Sequence, residues 1–250
     1  MKNYELISFA SAEALAAAAA EQWLDAIATA ARMGRAHHVA LSGGRITQKF
    51  FTEVVNRAKV LRIGDGGAPT LPSNVHFFWA DERCVPPADP ESNFRLAQER
   101  LFGPLAIADR QIHRVHGEKP PATAAQWAER EIRQVTAEGG APGLDQPVLD
   151  LIFLGLGEDG HVASLFPRES EAAASDPAVY RAIGDSPKPP PNRVTLGYPA
   201  IAAAREVWML ASGSGKETAF RESLSPDGKT PFARVLRLRR HTRILTDISA

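Results

Sequence analysis

The apolar stretch from Val148 to Leu156 constrains the fold more than any other part of this 250-residue sequence. Its nine residues, VLDLIFLGL, are hydrophobic apart from Asp150 and Gly155. A short run of this kind, without alternating polar residues, is typical of a strand that is buried on both faces. Such strands belong to parallel sheets whose two faces are covered by helices. The stretch therefore predicts an α/β protein with a mostly parallel central sheet.

Asp159 and His161 follow this strand directly and flank Gly160. They stand at the carboxyl end of the strand, which is where open α/β sheets bind their ligands. The carboxylate is close enough in sequence to orient or polarise the imidazole, and an oriented imidazole can act as a general base. The pattern predicts a catalytic pair at this edge of the sheet.

Two other interpretations of the same segment stay open at this point. The spacing Gly155-x-Gly157-x-x-Gly160 matches the dinucleotide fingerprint, but it puts two acids where a pyrophosphate would lie. The second strand ending in an acid, expected about twenty residues later, is also missing, which argues against a nucleotide cofactor. Alternatively, Asp159-Gly160 forms a simple turn and His161 is its solvated flank.

Composition limits the class of protein. At 44% hydrophobic and 23% charged residues, the chain can form one sizeable core, and we expect a single domain over residues 1–250. The formal net charge of zero gives no general attraction to nucleic acid, and no apolar run approaches the roughly 18 residues of a membrane span. One cysteine, Cys84, excludes an internal disulfide and fits the cytosol. We expect a small-molecule partner; the sequence leaves the oligomeric state open, with a monomer plausible.

Hydrophobic patterns and turn residues predict the other elements. Strands are predicted over residues 4–9, 38–41, 75–80, 112–115, 193–196, 206–211 and 243–245. Helices are predicted from the Ser11 cap to residue 33, through 50–55, and over 92–101, 122–137, 216–220 and 232–236. Trp127 is expected to face inward on its helix. Residues 57–73 are predicted to be a loop, and the prolines of 187–191 a rigid connector.

Ser42-Gly43-Gly44 lies between a predicted strand and a predicted helix. Backbone N–H groups and the helix dipole both favour an anion at such a position, so Gly43 and Gly44 are candidates for holding a phosphate. The same Gly-Gly turn also occurs in α/β units that bind no ligand.

Gly215-Lys216 is a second candidate anion site, at the start of a predicted helix. The segment differs from a nucleotide-binding P-loop, because no glycine stands five residues before Gly215 and Glu217 replaces the magnesium-binding Ser or Thr. ATP is therefore not expected. Lys216 nevertheless suits a single phosphate group.

The segment Asp81-Glu82-Arg83 follows the predicted strand over 75–80. A salt-bridged loop would explain these three charges, and so would a ligand site. Together with the two glycine loops and the Asp159–His161 segment, it gives four polar strand ends. In a parallel sheet these four ends share one edge, so we expect them to lie together.

These segments resemble the 6-phosphogluconolactonase family. The similarity rests on LSGG at 41–44, FFWADERCVP at 77–86, PESNFRL at 90–96, LDLIFLGLGEDGHVASLFP at 149–167, RVTL at 193–196 and GSGK at 213–216. The motifs follow the family's order and span nearly the whole chain. The resemblance implies a single Rossmann-like domain of three layers, similar to the sugar-phosphate isomerases and deaminases. It also implies hydrolysis of 6-phosphogluconolactone, without metal or cofactor.

The resemblance further implies a role for each matching residue. His161 would be the general base that deprotonates the attacking water, and Asp159 would orient it. Other matching residues would hold the phosphate: Arg83, Arg193, Lys216 and the backbone N–H groups of Gly43 and Gly44. Asp81 and Arg45 are further candidates for binding the substrate. Lactone opening does require a base, donors for the developing oxyanion and an anchor on the distant phosphate.

The chain departs from the family pattern after Gly44. The family usually continues SGG with Ser-Thr-Pro, whereas Arg45-Ile46-Thr47 stands here. The expected hydroxyl donors are therefore missing or displaced. The guanidinium of Arg45 either folds over the phosphate in their place, which we favour, or turns outward to solvent.

Two other functions are compatible with this kind of fold. Amino-sugar-phosphate deaminases or isomerases share the DGH turn but typically carry an acid shortly after it, where residues 164–167 here read SLFP. A non-catalytic sugar-phosphate sensor would need a segment that transmits a signal, and the sequence has no helix-turn-helix or basic tail. Both observations favour the lactonase.

Overall fold

The computed structural model describes residues 3–61, 70–137, 145–167 and 169–249. The strands in these ranges are β1 (Tyr4–Ser8), β2 (His37–Leu41), β3 (Val75–Trp79), β4 (Asp81–Arg83), β5 (Leu151–Gly155), β6 (Tyr180–Ile183), β7 (Arg193–Leu196), β8 (Glu206–Ala211) and β9 (Thr242–Thr246). The α-helices are α1 (Ala12–Arg32), α2 (Arg45–Leu61), α3 (Asn93–Ala97), α4 (Pro121–Ala137), α5 (Glu171–Ala174), α6 (Tyr198–Ala203), α7 (Glu217–Leu224) and α8 (Pro231–Leu238). A π-helical turn over Gln98–Phe102 continues α3.

Six strands form the main sheet in the order β1-β9-β8-β5-β2-β3, and every neighbouring pair is parallel. The strand predicted from the apolar stretch is β5, which lies between β8 and β2. Its residues Leu151–Leu154 are all buried. Because successive side chains of a strand point to opposite faces, both faces of the sheet are covered at this point. The prediction of a mostly parallel sheet in an α/β fold is confirmed.

The strand order places a topological switch point between β2 and β5. From β2 the chain moves to β3 at one edge, and from β5 it moves through β8 and β9 towards the other. Crevices at the carboxyl ends of strands beside such a point are where open α/β sheets bind ligands. The loops after β2 and β5 flank this crevice.

Helices α1 and α2 cover one face of the sheet. Ser11 caps α1, its side chain accepting a hydrogen bond from the backbone N–H of Ala14, as the sequence predicted. The fully buried ring of Trp23 lies 5.5 Å from Phe50 of α2 and 5.4 Å from Phe153 of β5, measured between ring centroids. Helix and sheet are therefore joined by aromatic packing.

Helix α4 lies on the other side of the main sheet from α1 and α2. Phe78 of β3 stacks on His113 at 4.7 Å, and His113 Nδ1 lies 2.9 Å from Glu131 Oε1 of α4. Ile132 is buried, but Trp127 is 37% exposed, so its predicted inward position is wrong. The indole instead packs at the surface against loop residues, with the Lys119 ammonium 5.6 Å from its centroid.

Strands β4, β7 and β6 form a second, antiparallel sheet. The polar segment Asp81–Arg83, predicted as a loop, is strand β4, with Asp81 paired to Thr195 and Arg83 to Arg193. Strand β6 was not predicted. The sequence did not indicate strands β4 and β6 for the same reason. Segments of three or four residues with mixed polarity show little periodicity, and pairing with β7 determines their conformation.

Three further predictions need correction or fall outside the described ranges. Helix α2 continues to Leu61, so the loop predicted from residue 57 starts later, and its section 62–69 is not described. The strand predicted over 112–115 is reduced to an isolated bridge between Ile112 and Phe77. Gly139-Gly140, which we expect to close the helix predicted over 122–137, also lies outside the described ranges. No helix in the described part of the chain is long and apolar enough to cross a membrane.

Candidate active site

A pocket opens at the carboxyl ends of the parallel strands, beside the switch point. Its polar lining includes Ser42, Gly43, Gly44, Arg45, Asp81, Arg83, Asn93, His161, Arg193 and Lys216. The four polar strand ends therefore meet at one edge, as the sequence predicted. Among the predicted site residues, Asp159 alone is not part of the lining, because it contacts His161 from outside the pocket.

Asp159 and His161 form a hydrogen-bonded pair in the turn after β5. His161 Nδ1 contacts Asp159 Oδ1, and the same carboxylate oxygen accepts a hydrogen bond of 3.2 Å from the His161 backbone N–H. The bond at Nδ1 fixes the orientation of the ring and leaves Nε2 as the nitrogen available to a ligand. The pair has the arrangement of an oriented general base.

The surroundings keep the imidazole neutral at physiological pH. Burial lowers the pKa of His161 below its ordinary value, and the ammonium of Lys188 lowers it further, against the opposing effects of Asp159 and Asp81. Burial raises the pKa of Asp159, but the hydrogen bond and charge of His161 outweigh it, so the net shift is downward. A carboxylate beside a neutral ring results, and a neutral ring can accept a proton.

The imidazole is confined on two sides. The Phe166 ring lies 4.9 Å from the His161 ring, centroid to centroid. On the other side, a Cβ atom added to Gly157 would lie 2.0 Å from His161 Nδ1, so the ring occupies space that any other residue at position 157 would need. Gly157 N–H also donates a 2.9 Å hydrogen bond to the His161 carbonyl. Glycine is therefore required at 157 by close approach.

The glycine cradle after β2 lies at the amino end of α2. Ser42 Oγ donates to the Phe153 carbonyl at 2.8 Å and ties the loop to β5. Gly44 has φ +106°, a left-handed conformation that favours glycine, and the helix begins at the next residue. The first backbone N–H groups of a helix have no partner within it, so this end of α2 suits an anion.

Arg45 and Lys216 bring two cations to this part of the pocket. Burial lowers the pKa of the half-buried Lys216, and the nearby charge of Arg45 lowers it further. Within the described residues, neither side chain forms an ion pair with an Asp or Glu. Glu158 and Asp247 oppose these effects from a distance, but neither cation has a direct ion-pair partner there, and two such like charges favour binding of an anion between them.

Arg83 and Arg193 line the pocket from the second sheet, and both are partly held by the protein. Arg83 Nη1 donates to the Glu91 carbonyl at 2.7 Å, while its buried Nε has no hydrogen-bond partner within the described structure. The Arg193 side chain is buried and donates to the carbonyls of residues 188–190 at 3.1 Å each. The Arg193 guanidinium therefore makes more hydrogen bonds within the protein than that of Arg83.

The sequence did not indicate which residues hold Asp81 in place beside the pocket. Asp81 is buried and accepts a 2.7 Å hydrogen bond from Ser164 Oγ. Asn93 Nδ2 donates to the Asp81 carbonyl at 2.8 Å, and Asn93 itself lines the pocket. Both residues stand in the motifs PESNFRL and SLFP, but nothing in those motifs shows that they meet Asp81 across the fold.

Glu82 fixes the amino end of α3 beside the pocket. Its buried carboxylate accepts hydrogen bonds of 2.7–2.8 Å from the backbone N–H groups of Arg83, Asn93 and Phe94. Burial raises the pKa of Glu82 to about 7, although these N–H groups act in the opposite direction. Glu82 positions Asn93 and does not line the pocket.

Two other chemistries lack support in the described residues. No cluster of three or more His, Cys, Asp or Glu there could hold a metal ion. Burial raises the pKa of the Cys84 thiol to about 11, so the reactive thiolate is scarce at neutral pH. Cys84 is a structural residue.

This fold and site place the chain in a known family. It belongs to the family of glucosamine-6-phosphate isomerases and 6-phosphogluconolactonase, whose model matches residues 10–245. It is similar to the 6-phosphogluconolactonase of Mycobacterium tuberculosis, with 37% identity over 84% of this chain and 82% of that protein. It is also similar to that of Streptomyces coelicolor, with 33% identity over 90% of this chain and 84% of that protein.

Solved structures agree with the fold. The 6-phosphogluconolactonase of Trypanosoma cruzi superimposes with a TM-score of 0.79 at 27% identity, covering 98% of this chain and 96% of that one. A monomeric glucosamine-6-phosphate deaminase gives a TM-score of 0.76 at 17% identity, covering 98% and 97%. The second likeness concerns the fold alone.

Proposed function

We propose that this protein hydrolyses 6-phospho-D-glucono-1,5-lactone to 6-phospho-D-gluconate. The observation that carries the proposal is His161, a neutral base that Asp159 orients, in one pocket with Arg45 and Lys216, which form no ion pair among the described residues. The names and similarity of the relatives support the same substrate. We further propose that the chain works as one domain, without metal or cofactor, in the cytosol.

In the proposed reaction, His161 Nε2 takes a proton from a water molecule as the water oxygen bonds to the lactone carbonyl carbon. The carbonyl electron pair moves to its oxygen and forms an oxyanion. When the oxyanion collapses, the bond from the carbonyl carbon to the ring oxygen breaks, and the ring oxygen takes the proton from the imidazolium. The product is an open-chain acid that loses one proton at neutral pH, and His161 is again neutral.

The phosphate is held at the cradle in this proposal. The N–H groups at Gly43 and Gly44, the ammonium of Lys216 and the guanidinium of Arg45 face one anion at the amino end of α2. Arg83 adds a donor through its free Nε. This anchor positions the carbonyl beside His161, and such positioning contributes to the rate as well as to binding.

The position after the DGH turn argues against a deaminase. The acid typical there is replaced by the SLFP segment, and Ser164 is fully buried with its hydroxyl bound to Asp81. A second acid is therefore not supplied from this turn, and the site retains one oriented base. Lactone hydrolysis requires one such base and no second acid.

The test is acid release from freshly prepared 6-phosphogluconolactone, corrected for spontaneous hydrolysis. We expect catalysis by the wild type and a kcat lower by on the order of 10²–10⁴ in His161→Ala, with little change in KM, because the base acts on water. His241→Ala is the matched control, since His241 is exposed and outside the pocket. Wild-type kcat in a folded His161→Ala variant would remove His161 from the mechanism.

A further inference from the structure

The proline-rich segment between β6 and β7, whose sequence indicated only a rigid spacer, adjoins the pocket through its hydrogen bonds with Arg193. We define the connector as residues Ser186–Pro191. Its ends are joined by a 3.0 Å hydrogen bond from Ser186 N–H to the Pro191 carbonyl. Ser186 Oγ also donates to the Lys188 carbonyl at 2.8 Å. The connector is therefore a closed, internally bonded loop.

Arg193 attaches this loop to the pocket. Its Nε donates to the Pro190 carbonyl, and its Nη2 donates to the carbonyls of Lys188 and Pro189, each at 3.1 Å. Its Nη1 lies 3.4 Å from Ser164 Oγ. Most donors of this guanidinium are thus used by the protein. The main role of Arg193 is to hold the connector in place. Only its Nη1 is left to contact a phosphate.

The attachment places the connector on the His161 side of the pocket. The Arg193 guanidinium carbon lies 5.7 Å from the centroid of the Phe166 ring. The centroid of the same ring lies 4.9 Å from that of the His161 imidazole. A continuous series of contacts therefore runs from the connector backbone at Lys188 to the proposed base.

Lys188 is the cation that the connector brings to the site. It is half-buried, and within the described residues it forms no ion pair with an Asp or Glu. Its charge lowers the pKa of both His161 and Lys216, so the ammonium lies within electrostatic reach of the base and of the cradle. A half-buried ammonium that forms no ion pair among the described residues, and whose charge reaches the base, suits a negative charge supplied by the ligand.

We propose that Lys188 contacts the carbonyl oxygen of the lactone and stabilises the oxyanion that forms when water attacks. The inference rests on the proposed function. The cradle already supplies Arg45, Lys216 and backbone N–H groups to the phosphate. The reacting end of the substrate lies beside His161, where the Phe166 and Arg193 contacts hold the connector. Lys188 is therefore a catalytic residue, and Arg193 positions it.

The test measures kcat of the wild type and of Lys188→Met on two substrates. This substitution keeps the aliphatic stem and removes the charge. We expect kcat to fall on the order of 10²-fold, the usual effect of removing one oxyanion donor. The loss should be of the same factor on 6-phosphogluconolactone and on gluconolactone without its phosphate. Lys188→Arg, which keeps a cation, should recover most of the activity. Lys59→Met is the matched control, because Lys59 is exposed at the far end of α2.

The pH profile gives a second readout that a structural role would not change. The charged groups that act on the pKa of His161 are Asp159, which contacts the ring, and Lys188 and Asp81. Removing the Lys188 charge removes a repulsion against the imidazolium, so the acid limb of kcat/KM should move to higher pH in Lys188→Met. Lys188→Arg should leave the limb near its wild-type position.

The outcomes separate this inference from the proposed function. A wild type without activity on 6-phosphogluconolactone refutes the proposed function and the role of Lys188 with it. An active wild type together with an unchanged, folded Lys188→Met variant refutes the role of Lys188 alone. A loss confined to the phosphorylated substrate also refutes it, because Lys188 would then be a phosphate ligand.

Discussion

Replacing Gly157 by alanine tests whether the position of His161 determines the rate. A Cβ at this residue would lie 2.0 Å from His161 Nδ1 and 2.1 Å from Cε1, whereas ordinary van der Waals contact begins at 3.4 Å. The ring must therefore move by about 1.4 Å, or the β5 turn must shift by a similar amount. Either movement disturbs the Asp159 hydrogen bond and the direction of Nε2. A misplacement of about 1 Å at a reacting group costs on the order of 10²-fold in rate.

We accordingly expect Gly157→Ala to lower kcat by on the order of 10²-fold with little change in KM, because the phosphate cradle is untouched. Overpacking of about 1–3 kcal/mol should also lower the melting temperature without preventing folding. The assay is steady-state acid release together with thermal unfolding. Gly184→Ala is the control, since its added Cβ would lie 3.9 Å from the nearest neighbouring atom, Oδ1 of Asn192. A folded Gly157→Ala variant with wild-type kcat would refute the reasoning.

Two further predictions concern the charge state of the base and the cradle. Burial places the folded-state pKa of His161 below its ordinary value of 6.5, and the neutral ring is the active form, so kcat/KM should persist at pH 6.5 and fall only as the pH drops further; a midpoint above 6.5 in a pH–rate profile would contradict this. Arg45→Ser, which restores the usual family residue, should raise KM less than Arg45→Ala does, and equal, near-wild-type KM values would show that Arg45 faces water.

The parts of the site that depend on local sequence were predictable. Asp159 and His161 are two residues apart, and the apolar stretch before them places them at the end of a buried strand. Gly43, Gly44 and Lys216 stand at strand-to-helix junctions, which glycine marks in the sequence. Parallel strands bring all such junctions to one edge, so their convergence follows from the fold class.

The parts that depend on contacts distant in sequence were not predictable. Asp81 meets Ser164 across 83 positions of chain, and no periodicity encodes this contact. The short strands β4 and β6 exist because β7 pairs with both. Lys188 lies in a segment whose prolines indicate rigidity but not its place in the fold. The hydrogen bonds from Arg193 to the carbonyls of this segment place it next to the pocket.

The pocket is assembled from two separate hydrogen-bonded sheets. The base and the cradle follow strands of the parallel sheet, whereas the connector joins two strands of the antiparallel one. An insertion or exchange within Ser186–Pro191 can therefore move the Lys188 cation without shifting the register of any parallel strand. A connector transplanted between relatives should then change the contribution of its cation to the rate, while the base and the cradle stay in place.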